Sequence, residues 1–140
     1  MTYQELKAVH AKRINDFPLR FAFSSNQFDD VVKELGPPDT LVSIGGGGIL
    51  RKTDRAEFDR LFELCESEME TAKKEDAFLE DAIKYELGNH EYSYTGDPSD
   101  TIDVLDLDMS DARVKRVFAS ARIAYLTEQA EWEAANEVTQ

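Results

Sequence analysis

Apolar side chains recur at intervals of three and four residues in several separate parts of the chain, and this spacing restricts the fold more than any other feature. Such spacing places the side chains along one face of an α-helix. We predict four to five helices, covering residues 2–16, 24–35, 54–72, 78–88 and 111–133. A break is expected near residues 73–76, because continuing the third apolar face would turn Asp76 inward. Each predicted helix has a capping residue, a glycine or a proline at its ends.

Short runs with strand character lie between the first helices. They cover residues 19–23, 41–44 and 49–52, and four consecutive glycines join the last two: Gly45, Gly46, Gly47 and Gly48. Glycines between two such runs favour a tight bend between paired strands. The predicted fold class is therefore α+β, mostly helical, with a small two- to three-stranded antiparallel sheet. We expect one compact domain over residues 1–140, with an irregular, acidic stretch at residues 89–110 and fraying at the C-terminal end, residues 131–140.

The single cysteine, Cys65, excludes an internal disulfide and fits a reducing compartment. The residues near it in sequence are Glu63, Glu66 and Glu68, whose charge disfavours a thiolate, so a small buried hydrophobe is predicted there. No apolar stretch approaches the roughly 18–20 residues that span a bilayer, and the first residues lack the pattern of a signal peptide. A cytoplasmic protein is expected, with no membrane contact.

The formal net charge of −13 is concentrated in the middle of the chain. Residues 57–111 hold 18 of the 29 acidic residues and four basic ones, for a net charge of −14. Residues 86–111 contain no lysine or arginine. A segment of this kind repels phosphate backbones, so direct nucleic-acid binding is not expected. A basic protein surface is the natural partner, although a charge run is also typical of an ordinary solvated face.

Motifs that carry chemistry are weak in this sequence. Gly88, Asn89, His90 and Glu91 match a signature of calcineurin-like metallophosphoesterases, but the chain has only two histidines and none of the companion motifs. His10, the other histidine, falls on an apolar helical face, where a hydrogen-bonded core histidine is predicted. The aspartates around residues 103–111 offer oxygen ligands without the glycine and glutamate of an EF-hand loop. We predict no enzymatic activity, no metal and no cofactor.

The glycine run supports an alternative function. Backbone amides of glycine-rich loops cradle phosphate when a helix N-terminus points at the anion. Here the residues after the run look extended, although cationic side chains follow closely at Arg51 and Arg55. A small anionic ligand or nucleotide bound by residues 45–48, Arg51 and Arg55 is the alternative to a structural turn.

Three strings carry a family resemblance: F-A-F-S-S-N-Q-F at residues 21–28, S-I-G-G-G-G-I-L-R-K at 43–52 and Y-E-L-G-N-H-E-Y at 85–92. Together they resemble a family of small uncharacterised proteins encoded by bacteriophages and bacterial mobile elements, over most of residues 1–107. The resemblance implies an accessory protein that binds and inhibits a protein of the bacterial host, including defence nucleases.

The leading hypothesis is a non-catalytic interaction protein whose acidic middle docks on a basic surface of a host protein. Carboxylates would occupy positions meant for phosphates and speed the encounter. For this to work, the acidic side chains must share one face and escape neutralisation by the basic residues of the terminal segments. The predicted contacts are Glu66, Glu70, Tyr92, Tyr94, Asp97, Asp100, Asp103, Asp106 and Asp108.

Overall fold

The structure is a computed structural model, and it describes residues 1–137. Within that range the chain forms seven α-helices and one three-stranded antiparallel sheet. The helices are α1 (Tyr3–Asp16), α2 (Ser25–Leu35), α3 (Arg55–Ala72), α4 (Asp76–Asn89), α5 (Tyr92–Thr95), α6 (Ser99–Val104) and α7 (Ala112–Glu137). The strands are β1 (Arg20–Phe21), β2 (Leu41–Gly45) and β3 (Gly48–Arg51). The predicted fold class is confirmed, with more helices than expected.

The chain divides into two compact units, described here separately. The sheet unit comprises residues 6–69, and the helical unit comprises residues 1–5 together with residues 70–137 of the described chain. No linker composition marks the division, because it falls within helices α1 and α3. For this reason the division was not predicted from the sequence.

In the sheet unit, helix α2 and the sheet form a small core. Ser24 caps α2 by accepting a hydrogen bond from the Gln27 amide, as expected for a serine at this position. Strand β3 lies between β1 and β2. The apolar side chains between helix and sheet are Ala22, Phe28, Val31, Val32, Leu35, Leu41 and Ile49.

The glycine run forms the bend that its position predicts. Gly46 and Gly47 are the two residues of the turn between β2 and β3, with φ of +59° and +80°. Positive φ at both central residues is the backbone that a tight hairpin requires, and only glycine adopts it without cost. The ring of Phe23 lies where a side chain at residue 47 would begin. Glycine is therefore needed there for space as well as for backbone conformation.

In the helical unit, α4 packs against α7 through an apolar core. The predicted break after the third helix is confirmed, since α3 ends at Ala72 and α4 begins at Asp76. The core residues are Phe78, Leu79, Ala82, Ile83, Leu87, Val117, Phe118, Ala121 and Tyr125. No helix within residues 1–137 combines the length and the apolar character needed to cross a membrane.

Several predicted segments differ from the structure, and the first strand covers only Arg20–Phe21 of the predicted residues 19–23. Residues 89–110 are not irregular throughout, because they contain α5 and α6, two helices of four and six residues. Helices this short leave too few apolar positions for periodicity to reveal them, and buried Tyr92, Thr101 and Leu105 hold them to the unit. The last helix continues to Glu137, and residues 138–140, where fraying was also predicted, lie outside the described part.

Candidate functional site

The predicted acidic contacts fall in both units. Glu66 belongs to the sheet unit, whereas Glu70 and the five aspartates of residues 97–108 belong to the helical unit. All five aspartates are exposed. Two of them also fix local turns: Asp97 accepts hydrogen bonds from the amide and hydroxyl of Ser99, and Asp108 accepts the same pair from Ser110. These bonds hold the pKa of Asp97 and Asp108 below the ordinary value for an aspartate.

Ion pairing separates these aspartates from other acids of the same unit. Asp76 contacts Arg113 at 2.7 Å and Arg116 at 3.0 Å, and Glu70 contacts Lys73 at 2.6 Å. Within the described residues, by contrast, none of the five aspartates lies within 4.0 Å of a lysine or arginine nitrogen; Asp100 lies 3.9 Å from Nδ1 of His90. Their negative charge therefore faces solvent, whereas that of Glu70 is offset by its neighbour.

The two predicted aromatic contacts have opposite environments. Tyr94 is 84% exposed, as a partner contact requires. Tyr92 is 8% exposed, with its ring 6.2 Å from that of Tyr125 and the guanidinium of Arg122 at 5.9 Å from its centroid. Tyr92 therefore serves the core of the helical unit and is not available as a partner contact in this conformation. Its sequence neighbours gave no sign of burial, because α5 was not predicted.

The two cations of the alternative anion site, Arg51 and Arg55, each have an acidic neighbour. Arg51 is the last residue of β3, where it pairs with Leu41, and its Nε donates to the Leu35 carbonyl at 2.8 Å. The Arg51 guanidinium also lies 3.7 Å from a buried oxygen of Asp54. Arg55 lies 3.2 Å from Asp59, one turn along α3. Arg51 and the turn glycines therefore lie at opposite ends of β3.

A buried carboxylate organises the helical unit. Glu86 on α4 is 1% exposed and accepts hydrogen bonds from the Tyr3 hydroxyl at 2.7 Å and the Asn89 amide at 3.3 Å. Its second oxygen lies 3.1 Å from Nε2 of His90. Burial, and then the bond to Glu86, raises the pKa of Tyr3 above that of an ordinary tyrosine. Sequence reasoning missed this network, although the apolar stripe of α4 carries residue 86 inward beside Ile83 and Leu87.

The metallophosphoesterase-like string lies at the end of that same helix. Asn89 is the last residue of α4, His90 is its C-cap, and Glu91 adopts the left-handed region with φ of +55°. Both Asn89 and His90 turn back onto Glu86. Their contacts are those of a helix terminus.

A second polar cluster lies in the sheet unit and joins α1 to α3. Nε2 of His10 lies 3.1 Å from Oε1 of Glu68. The guanidinium of Arg13 donates to both oxygens of Glu68, with Nη2 at 3.2 Å from Oε2. Cys65 is buried beside them, and hydrogen bonds to Glu68 and then to Cys65 raise the pKa of Arg13. The prediction of a buried cysteine is confirmed. Besides the glutamates that flank it in sequence, Cys65 has the basic neighbours His10 and Arg13, which α1 supplies and which are distant in sequence.

Three side chains of this cluster lie close enough together to bind one metal ion. One ligand atom each from His10, Cys65 and Glu68 lies within 4.8 Å of the others. Within residues 1–137 no other group of three histidine, cysteine or carboxylate side chains converges in this way. The aspartate run at residues 103–111 does not, and there Asp111 accepts from the Val114 amide at the start of α7.

Comparison with known proteins identifies a family. No curated protein and no solved structure matches this chain significantly. The sequence pattern of one family matches residues 2–124, which include all three strings of the predicted resemblance and extend past residue 107. The chain belongs to this family, DUF7659, which is described as a family of unknown function.

Proposed function

We propose that this protein is a binding protein, and that residues 94–108 of its helical unit contact a basic surface of another protein. One observation carries the proposal: five aspartates in this segment are exposed and have no lysine or arginine within ion-pair distance in the described chain. They are Asp97, Asp100, Asp103, Asp106 and Asp108. We call them, together with Tyr94, the acidic segment.

Charge of one sign on a surface speeds the encounter with the opposite sign and suppresses wrong partners. Rim charges contribute more to association rate than to final affinity, so an acidic surface also needs apolar contacts. Two exposed side chains supply them in the same stretch, Tyr94 and the half-exposed Val104. Tyrosine is among the residues that most often dominate binding energy at interfaces.

The acidic segment has the charge that a phosphate-binding surface attracts. The narrower form of the proposal is that the partner is a nucleic-acid-binding protein of a bacterial host, such as a defence nuclease, which the acidic segment blocks in the cytoplasm. The support for this form is charge complementarity. Origin in a phage or mobile element stays a prediction from the sequence strings.

A matched pair of variants tests the proposal. In the first, Asp97, Asp100, Asp103, Asp106 and Asp108 are replaced by asparagine, which keeps an oxygen able to accept the Ser99 and Ser110 bonds. In the second, five exposed acids of the sheet unit, Asp29, Asp30, Asp39, Glu57 and Glu63, are replaced by their amides, which gives the same net charge. Binding of an oligo-arginine peptide is measured by calorimetry over a range of salt concentrations.

We expect the first variant to bind at least tenfold more weakly than the second, with a smaller dependence of affinity on salt. Tyr94→Ala should weaken binding without changing the salt dependence. Equal losses in the two five-residue variants would show that only net charge matters, and would overturn the proposal.

A further inference from the structure

The polar cluster of the sheet unit contains more potential metal ligands than its ion pair requires. His10 and Arg13 lie one turn apart on α1, and Cys65 and Glu68 lie one turn apart on α3. Each pair therefore projects from one side of its helix. A thiol, an imidazole and a carboxylate meet with their ligand atoms within 4.8 Å. An ion pair between Arg13 and Glu68 alone requires neither the cysteine nor the histidine.

This donor set is the one that zinc prefers. Zinc binds cysteine sulfur at about 2.3 Å and histidine nitrogen or carboxylate oxygen at about 2.0–2.2 Å, in tetrahedral geometry. Three protein ligands with a fourth open position are typical of sites where zinc also binds water or another molecule. The distance of 3.1 Å between the His10 nitrogen and the Glu68 oxygen needs only a slight opening to admit a cation.

An open groove leads to the cluster. It has a volume of about 480 Å³, and both His10 and Cys65 line it, together with Ile14, Phe62 and Met69. Cys65 is thus reached from solvent although its side chain is mostly covered. A cation has a path to the thiol, and water or a small ligand has space at the fourth position.

Arg13 holds the carboxylate of Glu68 in the metal-free cluster. Its guanidinium binds both oxygens of Glu68 and competes with any cation for that carboxylate. We infer that His10, Cys65 and Glu68 form a binding site for a zinc-class divalent cation, and that Arg13 holds Glu68 until the cation replaces it. On binding, the thiol proton passes to solvent and sulfur coordinates as the thiolate.

The experiment uses the full chain and Co²⁺, whose thiolate complexes absorb in the near ultraviolet, and then Zn²⁺ in competition. The wild-type protein, kept reduced with a phosphine, should develop the thiolate-to-cobalt band at one equivalent and lose it on addition of Zn²⁺. Cys65→Ser should abolish the band, and His10→Gln should weaken binding at least tenfold. His90→Gln is the matched control, because it removes the only other histidine, and it should bind as the wild type does.

Arg13→Met separates a metal site from a structural ion pair. If Arg13 competes for Glu68, its removal should tighten Co²⁺ binding severalfold, even though it removes an ion pair of the metal-free protein. Circular dichroism of each variant establishes that it is folded. Absence of the thiolate band in folded wild-type protein at millimolar Co²⁺, or retention of binding by Cys65→Ser, would overturn the inference. Weaker binding by folded Arg13→Met would overturn the role given to Arg13.

Discussion

Each unit of this protein places a histidine against a glutamate, and the two pairs have the same nitrogen-to-oxygen distance of 3.1 Å. In the helical unit Glu86 is 1% exposed and is surrounded by Tyr3, Asn89 and His90 of the same unit. In the sheet unit the Glu68 side chain is 33% exposed, and a groove reaches its neighbours His10 and Cys65. Burial, more than the identity of the pair, therefore separates a structural carboxylate from an accessible one.

The largest expected effect is the loss of the buried carboxylate. Glu86→Ala should lower the free energy of unfolding by about 3 kcal/mol, because it leaves polar partners in the core without their acceptor and opens a cavity. Glu68→Ala should cost clearly less, since water replaces the carboxylate at a partly exposed position. Urea denaturation of both variants measures the difference, with Glu66→Ala as an exposed control on α3. Equal losses for Glu86→Ala and Glu68→Ala would show that burial does not distinguish the two carboxylates.

The next effect concerns the hydroxyl that donates to Glu86. Tyr3→Phe should lower the free energy of unfolding by about 1–2 kcal/mol, because one donor to a buried acceptor is lost while the ring remains. The folded protein raises the pKa of Tyr3, so the contribution of the neutral hydroxyl is complete below the unfolded value of about 10. It is lost as pH rises through the higher folded value.

The wild-type protein should therefore lose stability in alkali by a step that the Tyr3→Phe variant lacks. Denaturation series at neutral and alkaline pH measure that step. Tyr94→Phe, at an exposed tyrosine of the same unit, serves as the control and should match the wild type at every pH. If Tyr3→Phe lost as much stability in alkali as the wild type does, the hydroxyl of Tyr3 would not be the source of that loss.

The smallest expected effect is at Asp76, and it tests whether two ion-pair partners can stabilise the protein as much as burial of a carboxylate does. Asp76 has two arginine partners, Arg116 and Arg113, but its side chain is half exposed. The two arginines lower its pKa, so its contribution is present above the unfolded value of about 4 and is lost as pH falls through the lower folded value. Asp76→Asn should be less stable than the wild type at pH 7, by less than Glu86→Ala, and the gap should close in acid.

Urea denaturation at neutral and acid pH measures this gap, with Asp103→Asn as the control because Asp103 is exposed and has no ion-pair partner in the described chain. A loss for Asp76→Asn as large as that for Glu86→Ala would show that partner number matters as much as burial. A gap that persists unchanged in acid would contradict the direction of the pKa shift.

Local signals in the sequence predicted much of the framework. Thr2 caps the Glu5 amide at the start of α1, Ser24 caps α2, and the glycines form the hairpin turn, each as expected. These features depend on neighbours within a few residues, so their physical chemistry is written in the local sequence. The fold class followed from the spacing of apolar residues for the same reason.

The acidic segment was predicted only in part. Its charge and the exposure of Tyr94 agree with the prediction from the sequence. Tyr92, the other predicted aromatic contact, is buried beside Tyr125, because it lies in α5, a helix too short to predict. Whether a carboxylate keeps its charge exposed depends on distant cations. Arg113 and Arg116 lie about 40 residues from Asp76, and no local pattern shows that they neutralise Asp76 and not the aspartates that follow.

The amino-acid sequence was sufficient to predict the five longer helices, the concentration of negative charge and the need for glycine at the hairpin, because each depends on composition or on near neighbours. Which polar side chains meet across long stretches of the chain is known only from the folded structure. Tyr3 and Glu86 are 83 residues apart, and His10 and Glu68 are 58 residues apart. Contacts at such separations depend on how helices pack, and packing is set by the whole apolar surface instead of by any short stretch of residues.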